Sequence, residues 1–172
     1  MSLAQPPTTP ARRALFRAPI WLYRLGLGGL LGRRFVLLTH RGRTSGEARQ
    51  AVLEVVGRND ATGTVLVASG YGRRSQWFRN VRAQPRVLFQ VGGERHRGTA
   101  AVLAPKESGE VLAHYARQYP EAAVALMRGL GHEVDGSPES FARVGADDDG
   151  IPVVRLSPDD PPRTPYPDFT AP

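Results

Sequence analysis

The chain has no cysteine and a single lysine, Lys106, among its 172 residues. Without cysteine there is no disulfide frame, no thiolate nucleophile and no thiolate-ligated metal. The four histidines, His40, His96, His114 and His132, fall at no HxH or HxxxH spacing, so they read as surface or satisfied histidines rather than metal ligands. The GxSxG, Walker A and strand-to-helix GxGxxG signatures are also missing, which removes the common serine-hydrolase, nucleotide-hydrolase and dinucleotide readings. No window approaches the ~18 consecutive apolar residues of a spanning helix. The opening MSLAQPPTTPARR places prolines before charges, unlike a secretory leader.

Positive charge is abundant, and it is carried by arginine. Residues 1–100 hold 17 arginines against Glu47, Glu54, Asp60 and Glu94, a net +13, whereas residues 101–172 hold six basic and twelve acidic groups, a net −6. Such asymmetry suggests that one face meets an anion: nucleic acid, anionic lipid or a phosphorylated small molecule. Arginine suits planar, bidentate recognition of phosphate and carboxylate, although a GC-rich genome would give the same bias.

At this length one domain is expected, with a core of real size. Residues 1–10 and 158–172 read as disordered, proline-rich tails around a single domain spanning 11–157. Segment 11–31, ARRALFRAPIWLYRLGLGGLL, is a basic amphipathic helix with Leu15, Phe16, Ile20, Trp21 and Leu22 on its apolar face. It suits packing on the domain, or lying on an anionic membrane surface. FVLLTH, RQAVLEVV and TVLVAS are strand-like. GRNDATG is a hairpin turn, and RVLFQVGGERHRGTAAVLA is a second hairpin turning at Gly92-Gly93. Ser75 is placed to cap a short helix, SQWFRNVRA, with Trp77, Val81 and Phe78 inward, ended by Pro85. A longer helical stretch opens at Pro105 and breaks near Tyr119-Pro120. Residues 138–144 add a turn or two, and IPVVRLSP a last strand. Five or six strands in hairpin order with flanking helices predict an α+β fold around an antiparallel, barrel-like sheet.

Two loops hold the chemistry. THRGRTSGEARQ (39–50) joins the first two strands. A hairpin needs its glycines but not Arg41, Arg43 and Arg49. Gly42 and Gly46 let the backbone bend, Thr44 and Ser45 offer hydroxyls, and Arg43 and Arg49 can grip oxygens, which is what a phosphate requires. The strand TVLVAS runs into GYGRRSQWFRN, where glycines, Arg73, Arg74 and a helix N-terminus again favour negative charge. Two such loops on neighbouring strands suit a ligand with a phosphate and a further anionic tail.

The order strand–THRGRTSGEARQ–strand, followed by TVLVASGYGRRSQWFRNVRAQPRVLFQVGG, resembles the deazaflavin-dependent nitroreductase and quinone reductase family of split β-barrel oxidoreductases. The likeness extends over about residues 20–131. It implies a six-stranded antiparallel split barrel of the FMN-binding type and reduced coenzyme F(420) as hydride donor. It further implies that Arg43, Thr44, Ser45, Gly46 and Arg49 surround the coenzyme phosphate. Ala68, Ser69, Gly70, Tyr71, Gly72, Arg73 and Arg74 would lie along the coenzyme, and Trp77 and Asn80 would line or support it. The acidic poly-γ-glutamate tail of that coenzyme would use part of the basic half. Two positions depart from the family pattern, where lysines stand in place of Thr44 and Gly70, and Arg73 or Arg74 is expected to replace the missing charge. The hydride acceptor would be a quinone, a nitro-aromatic or an activated alkene.

Tyr115 and Tyr119, four apart on one helix face, are the candidate catalytic, acceptor-facing residues. The deazaflavin itself supplies the redox chemistry. FMN or haem in the same barrel is the alternative cofactor, and a non-catalytic nucleic-acid or membrane module the alternative class. No nucleic-acid motif is present, since Trp77 and Phe78 are placed for a core rather than for base stacking. A homodimer and a cytoplasmic site, peripheral to the inner face of the membrane through residues 11–31, complete the expectations.

Overall fold

In a computed structural model, residues 33–160 are described. The expectations for residues 1–32 and for 161–172 lie outside them. Six strands, β1 (Phe35–Arg41), β2 (Ala48–Asn59), β3 (Thr64–Ala68), β4 (Arg86–Val91), β5 (Glu94–Val102) and β6 (Val153–Pro158), close into an antiparallel barrel in the order β1-β2-β3-β6-β5-β4. Among the described residues the α-helices are α1 (Gln76–Ala83), α2 (Pro105–Gln118), α3 (Pro120–Gly129) and α4 (Pro138–Ala146).

Strand alternation builds two cores. Val36 and Leu38 of β1, Val65 and Val67 of β3, Val87 and Phe89 of β4, and Val154 and Leu156 of β6 point inward and fill the barrel. Phe78 and Val81 of α1 close that core at one end, with Trp77 packed beside them. The opposite faces of β2, β3 and β6 carry Val56, Leu66, Ala68 and Val153 into a second core with Leu112, Tyr115, Met127 and Phe141 of the helices. A register shift between Val55 and Gly57 serves both. It leaves Val56 without a partner on β3, so that Val55 packs with Val67 in the barrel while Val56 turns to the helices and Gly57 falls opposite Leu66.

Helix boundaries follow local chemistry. Pro105 opens α2, where the Glu107 carboxylate accepts the Ala104 N–H at 2.9 Å. Pro120 forces the break after Tyr119, and Ser137 caps α4 by accepting the Ser140 N–H. Gly109 of α2 and Gly145 of α4 meet backbone to backbone: a Cβ on Gly145 would lie 2.7 Å from the Gly109 Cα. Ser75 corrects an expectation. It occupies the N-cap position of α1, but its hydroxyl makes no capping bond. Pro158 and Asp159, expected in the C-terminal tail, are held on the barrel; Pro158 ends β6 and Asp159 donates its N–H to the Arg97 carbonyl.

Candidate active site

Both polar loops emerge at the same end of the barrel, because β1 and β3 run in the same direction on either side of the antiparallel β2. In the first loop Gly46 takes a positive φ of 69°, and its N–H donates to the Gly42 carbonyl at 2.7 Å. Gly42 must lack a side chain for a different reason: a Cβ there would sit 2.7 Å from Ser45 Oγ and 3.1 Å from Arg49 Nε. Ser45 and Arg49 are thereby folded together over bare backbone. Arg43, Thr44, Ser45 and Arg49 are all exposed. Among the described residues Arg49 has only a long, solvent-exposed pairing with Glu47 at 3.5 Å, which competes weakly with an incoming anion.

Asn80 joins this loop to α1. Its buried Oδ1 accepts both the Arg43 backbone N–H and the Arg43 guanidinium, each at 3.1 Å, and its Nδ2 lies 3.3 Å from His40 Nδ1. Arg43 Nη1 also donates to Gln76 Oε1 at 2.9 Å. Only one guanidinium nitrogen is used, so the rest of the fork stays available while the helix fixes its direction. Burial lowers the His40 pKa and keeps the ring neutral. The Asn80 amide oxygen is committed to positioning Arg43. His40 and Gln76 complete that arrangement.

The second loop is inward-looking. Ser69 is fully buried; its Oγ donates to the Gly72 carbonyl at 2.8 Å and lies 2.9 Å from Ser75 Oγ. Gly72 takes a φ of 63° and packs on the Gly150 carbonyl. At Gly70 the space of a side chain is filled from outside: a Cβ would meet the Leu130 methyls at 2.7 and 2.8 Å. Arg73 is tied to Asp148 by two contacts of 2.9 Å, one to its carbonyl and one to its carboxylate. Arg74 remains exposed. Of the two arginines expected to replace missing lysine charge, Arg73 is already neutralised. Trp77 packs edge-on to Phe78 and serves the barrel core. Ala68 faces the helix layer, and Tyr71 is half-buried.

The tyrosines stand elsewhere. Tyr115 is buried, and its hydroxyl donates to Glu54 Oε1 at 2.7 Å. Burial first, and then the Glu54 carboxylate, push its pKa up and hold the proton on the phenol. Glu54 in turn accepts from Arg34 Nη2 at 3.1 Å. Tyr119 is 56% exposed, its ring centroid 5.5 Å from that of Tyr115. Both border a cleft of roughly 990 Å³ between α2 and the outer face of β2 and β3, with Leu66, Leu103 and Val111 on its walls. Glu54 lies five residues from Arg49 along β2, or about 17 Å. The tyrosine pair and the arginine loop are therefore separate stations, bridged only by an extended ligand. Glu54 carried a signal in the sequence, as the one charge in the strand AVLEVV. Leu130 and Asp148 carried none.

The chain matches the F(420)H(2)-dependent quinone reductase family over residues 16–129. It is 34% identical over 86 residues to a protein of Mycobacterium tuberculosis named as the F(420)H(2)-dependent quinone reductase Rv3178, covering 49% of this chain and 71% of that one. Among solved structures, an F(420)-H2 dependent reductase is similar at TM-score 0.50 and 25% identity, over 73% of this chain and 96% of that one. The protein Atu2129 of Agrobacterium tumefaciens, of unknown function, shares the fold at TM-score 0.51 and 18% identity, over 91% and 60% of the two chains. The match decides between the deazaflavin and FMN readings in favour of the deazaflavin. The chain belongs to the F(420)H(2)-dependent quinone reductase family and is an oxidoreductase of split-barrel fold that uses the reduced deazaflavin coenzyme.

Proposed function

We propose that residues 42–49 hold the phosphate of the deazaflavin coenzyme, with Arg43, Ser45 and Arg49 as principal donors and Thr44 and Gly46 completing the turn. The coenzyme would run past residues 68–74 toward the cleft beside Tyr119, where the acceptor binds. One observation carries this reading: the Arg43 guanidinium reaches both Gln76 and Asn80, so the first loop and the helix that continues the second share one wall. The donor set fits the group. Exposed arginines and a hydroxyl folded over a bare glycine offer charge-assisted bonds with few internal competitors.

When bound, the coenzyme supplies a hydride to a quinone, a nitro-aromatic or an activated alkene. The protein fixes the phosphate end, and the apolar walls of the cleft, Leu66, Leu103 and Val111, give an acceptor ring a dry surface. Tyr119, with its exposed hydroxyl, is the residue placed to touch the acceptor. Tyr115 keeps its proton and, through Glu54, holds the ring against which Tyr119 stacks.

Titration with the reduced coenzyme, followed by turnover with menadione and a nitro-aromatic, tests the reading. Saturable binding near 1:1 and oxidation of the coenzyme by either acceptor are expected. Stoichiometric FMN with no affinity for the deazaflavin would sink it. Tyr119→Ala should raise KM for the acceptor while leaving coenzyme affinity unchanged; the opposite pattern would move the acceptor elsewhere. Among the described residues no helix is long and apolar enough to cross a membrane. Contact with the inner face of an anionic membrane through residues 11–31 belongs to the same proposal, as does a homodimer. Liposome sedimentation with and without residues 1–31 tests the first, and light scattering the second.

A further inference from the structure

The direction of Arg43 is settled one residue further back than Asn80. The Arg43 backbone N–H can only donate, and so can its guanidinium, and both meet one atom of the Asn80 amide at 3.1 Å. That atom is therefore the amide oxygen, and the NH₂ group is left to face His40 Nδ1 at 3.3 Å. A ring nitrogen opposite an NH₂ group must accept. Nδ1 thus carries no proton, and the neutral ring holds its proton on Nε2. Both side chains are buried, so water does not replace a lost partner.

A proton on Nδ1 breaks this chain, because it sets donor against donor. If the Asn80 amide turns over, its NH₂ group meets the Arg43 N–H and guanidinium, and the clash has only moved. If the ring swings away instead, the amide loses the contact that fixes its orientation. A charged His40 is incompatible with the arrangement that holds Arg43. The surroundings bear on that proton too. Burial lowers the His40 pKa first, the Arg41 backbone acts the other way, and the charge of Arg49, opposite His40 on β2, lowers it further. Arg43 faces the group from the loop and the neutral Asn80 from α1. Arg86, Arg97 and the acid Asp159 border the same recess as His40 on its other side.

We propose that His40 is a positioning residue for the coenzyme: by accepting from Asn80, its neutral ring keeps the amide oxygen turned to Arg43, so a proton on His40 and an anion at the first loop compete. The identity of the anion rests on the function proposed above; the coupling of His40 to Arg43 does not. Charge alone acts with the opposite sign, since a cation near a bound phosphate tightens binding. The hydrogen-bond effect dominates, because Arg43 touches the anion whereas His40 lies behind Asn80. The folded-state pKa lies below 6.5, so affinity is full above that value and declines as pH falls through the folded-state pKa.

NMR on the full ¹⁵N-labelled chain reads the coupling without ligand. The His40 ring should show the tautomer protonated on Nε2 at neutral pH, and the Arg43 backbone amide should shift with the midpoint at which His40 titrates. A ring protonated on Nδ1, or an Arg43 amide indifferent to the titration, overturns the proposal. Coenzyme affinity is then measured by fluorescence titration in the wild-type protein, His40→Gln and His40→Leu from about pH 7.5 to about pH 5. The glutamine oxygen can accept from Asn80 without taking a proton, and leucine accepts nothing. At the upper pH His40→Leu should bind about tenfold more weakly, and His40→Gln should recover most of that loss. On acidification the wild-type protein should weaken several-fold relative to His40→Gln, a ratio from which the coenzyme's own titration cancels. Equal profiles, or a wild-type protein that tightens relative to His40→Gln, overturn the proposal. If the Arg43 amide follows His40 but none of the three proteins binds the coenzyme, the proposed function fails and the coupling stands.

Discussion

The loops at 42–47 and 69–75 have nearly the same ingredients and opposite fates. Each has glycines, hydroxyls and arginines at one end of the barrel. In the first, Thr44, Ser45 and Arg49 face solvent, and the internal bonds are mostly backbone. In the second, Ser69 and Ser75 satisfy each other in a buried pocket and Arg73 is clamped to Asp148. Composition marks a loop as able to bind an anion. Whether its donors are free for one depends on what packs behind it, and here Leu130, just past α3, and the segment before β6 pack behind only the second.

The largest test of that contrast is Arg43→Ala combined with Arg49→Ala. Each charge-assisted bond contributes ~1.5–3 kcal/mol, so coenzyme affinity should fall at least about a hundredfold with little change in the melting temperature. Fluorescence titration and thermal melting read the two effects separately, and unchanged affinity would remove the first loop from the site. Ser69→Ala should act the other way. It leaves the buried Ser75 hydroxyl without its partner and the Gly72 carbonyl with only the long Ser75 N–H bond of 3.4 Å, which costs about 1–3 kcal/mol of stability by urea unfolding. Loss of coenzyme affinity with stability intact would make Ser69 a ligand after all.

A smaller effect comes from pH. The His40 pKa lies below its usual 6.5 because the ring is buried, so the unfolded chain takes up the proton first as pH falls. The stability from this group is complete above about pH 6.5 and declines as pH falls below it toward the folded-state pKa. His132 is shifted the same way, also by burial, so His40→Gln should flatten only part of the slope in urea midpoints between pH 7.5 and 5.5. An unchanged slope would show that His40 is not the sensor. The smallest contrast is within one loop. Arg73→Ala should change stability by under about 1 kcal/mol, as expected of an exposed pair, and leave coenzyme affinity within about twofold, since its charge is already spent. Arg74→Ala should weaken binding several-fold more; equal effects would erase the distinction.

Much of the fold was legible in the sequence because its signals are local. Alternating β-branched residues, Gly92-Gly93 and Pro120 place strands, turn and helix break without reference to the rest of the chain. The six-strand barrel order needed the family pattern, since nothing local says that β6 lies between β3 and β5. The arginine loop was legible from its excess charge. What remained hidden depended on distant packing: Leu130 covering Gly70, Asp148 holding Arg73, and Asn80 bonding both the backbone and the guanidinium of Arg43. Ser75 shows the same limit. Its position favours a cap, but a buried hydroxyl partner six residues earlier takes precedence over the helix N–H.

The glycine pair Gly109 and Gly145 has a consequence for how acceptor preference can change. With no side chain between them, α2 rests on α4 backbone against backbone, and it can neither slide nor tilt without collision. The wall of the cleft that bears Tyr115 and Tyr119 is thus of fixed height. On the proposed reading, new acceptors would be accommodated by exchanging side chains along that wall, above all at Tyr119, and not by moving it; a protein engineer should treat α2 as masonry and Tyr119 as the door.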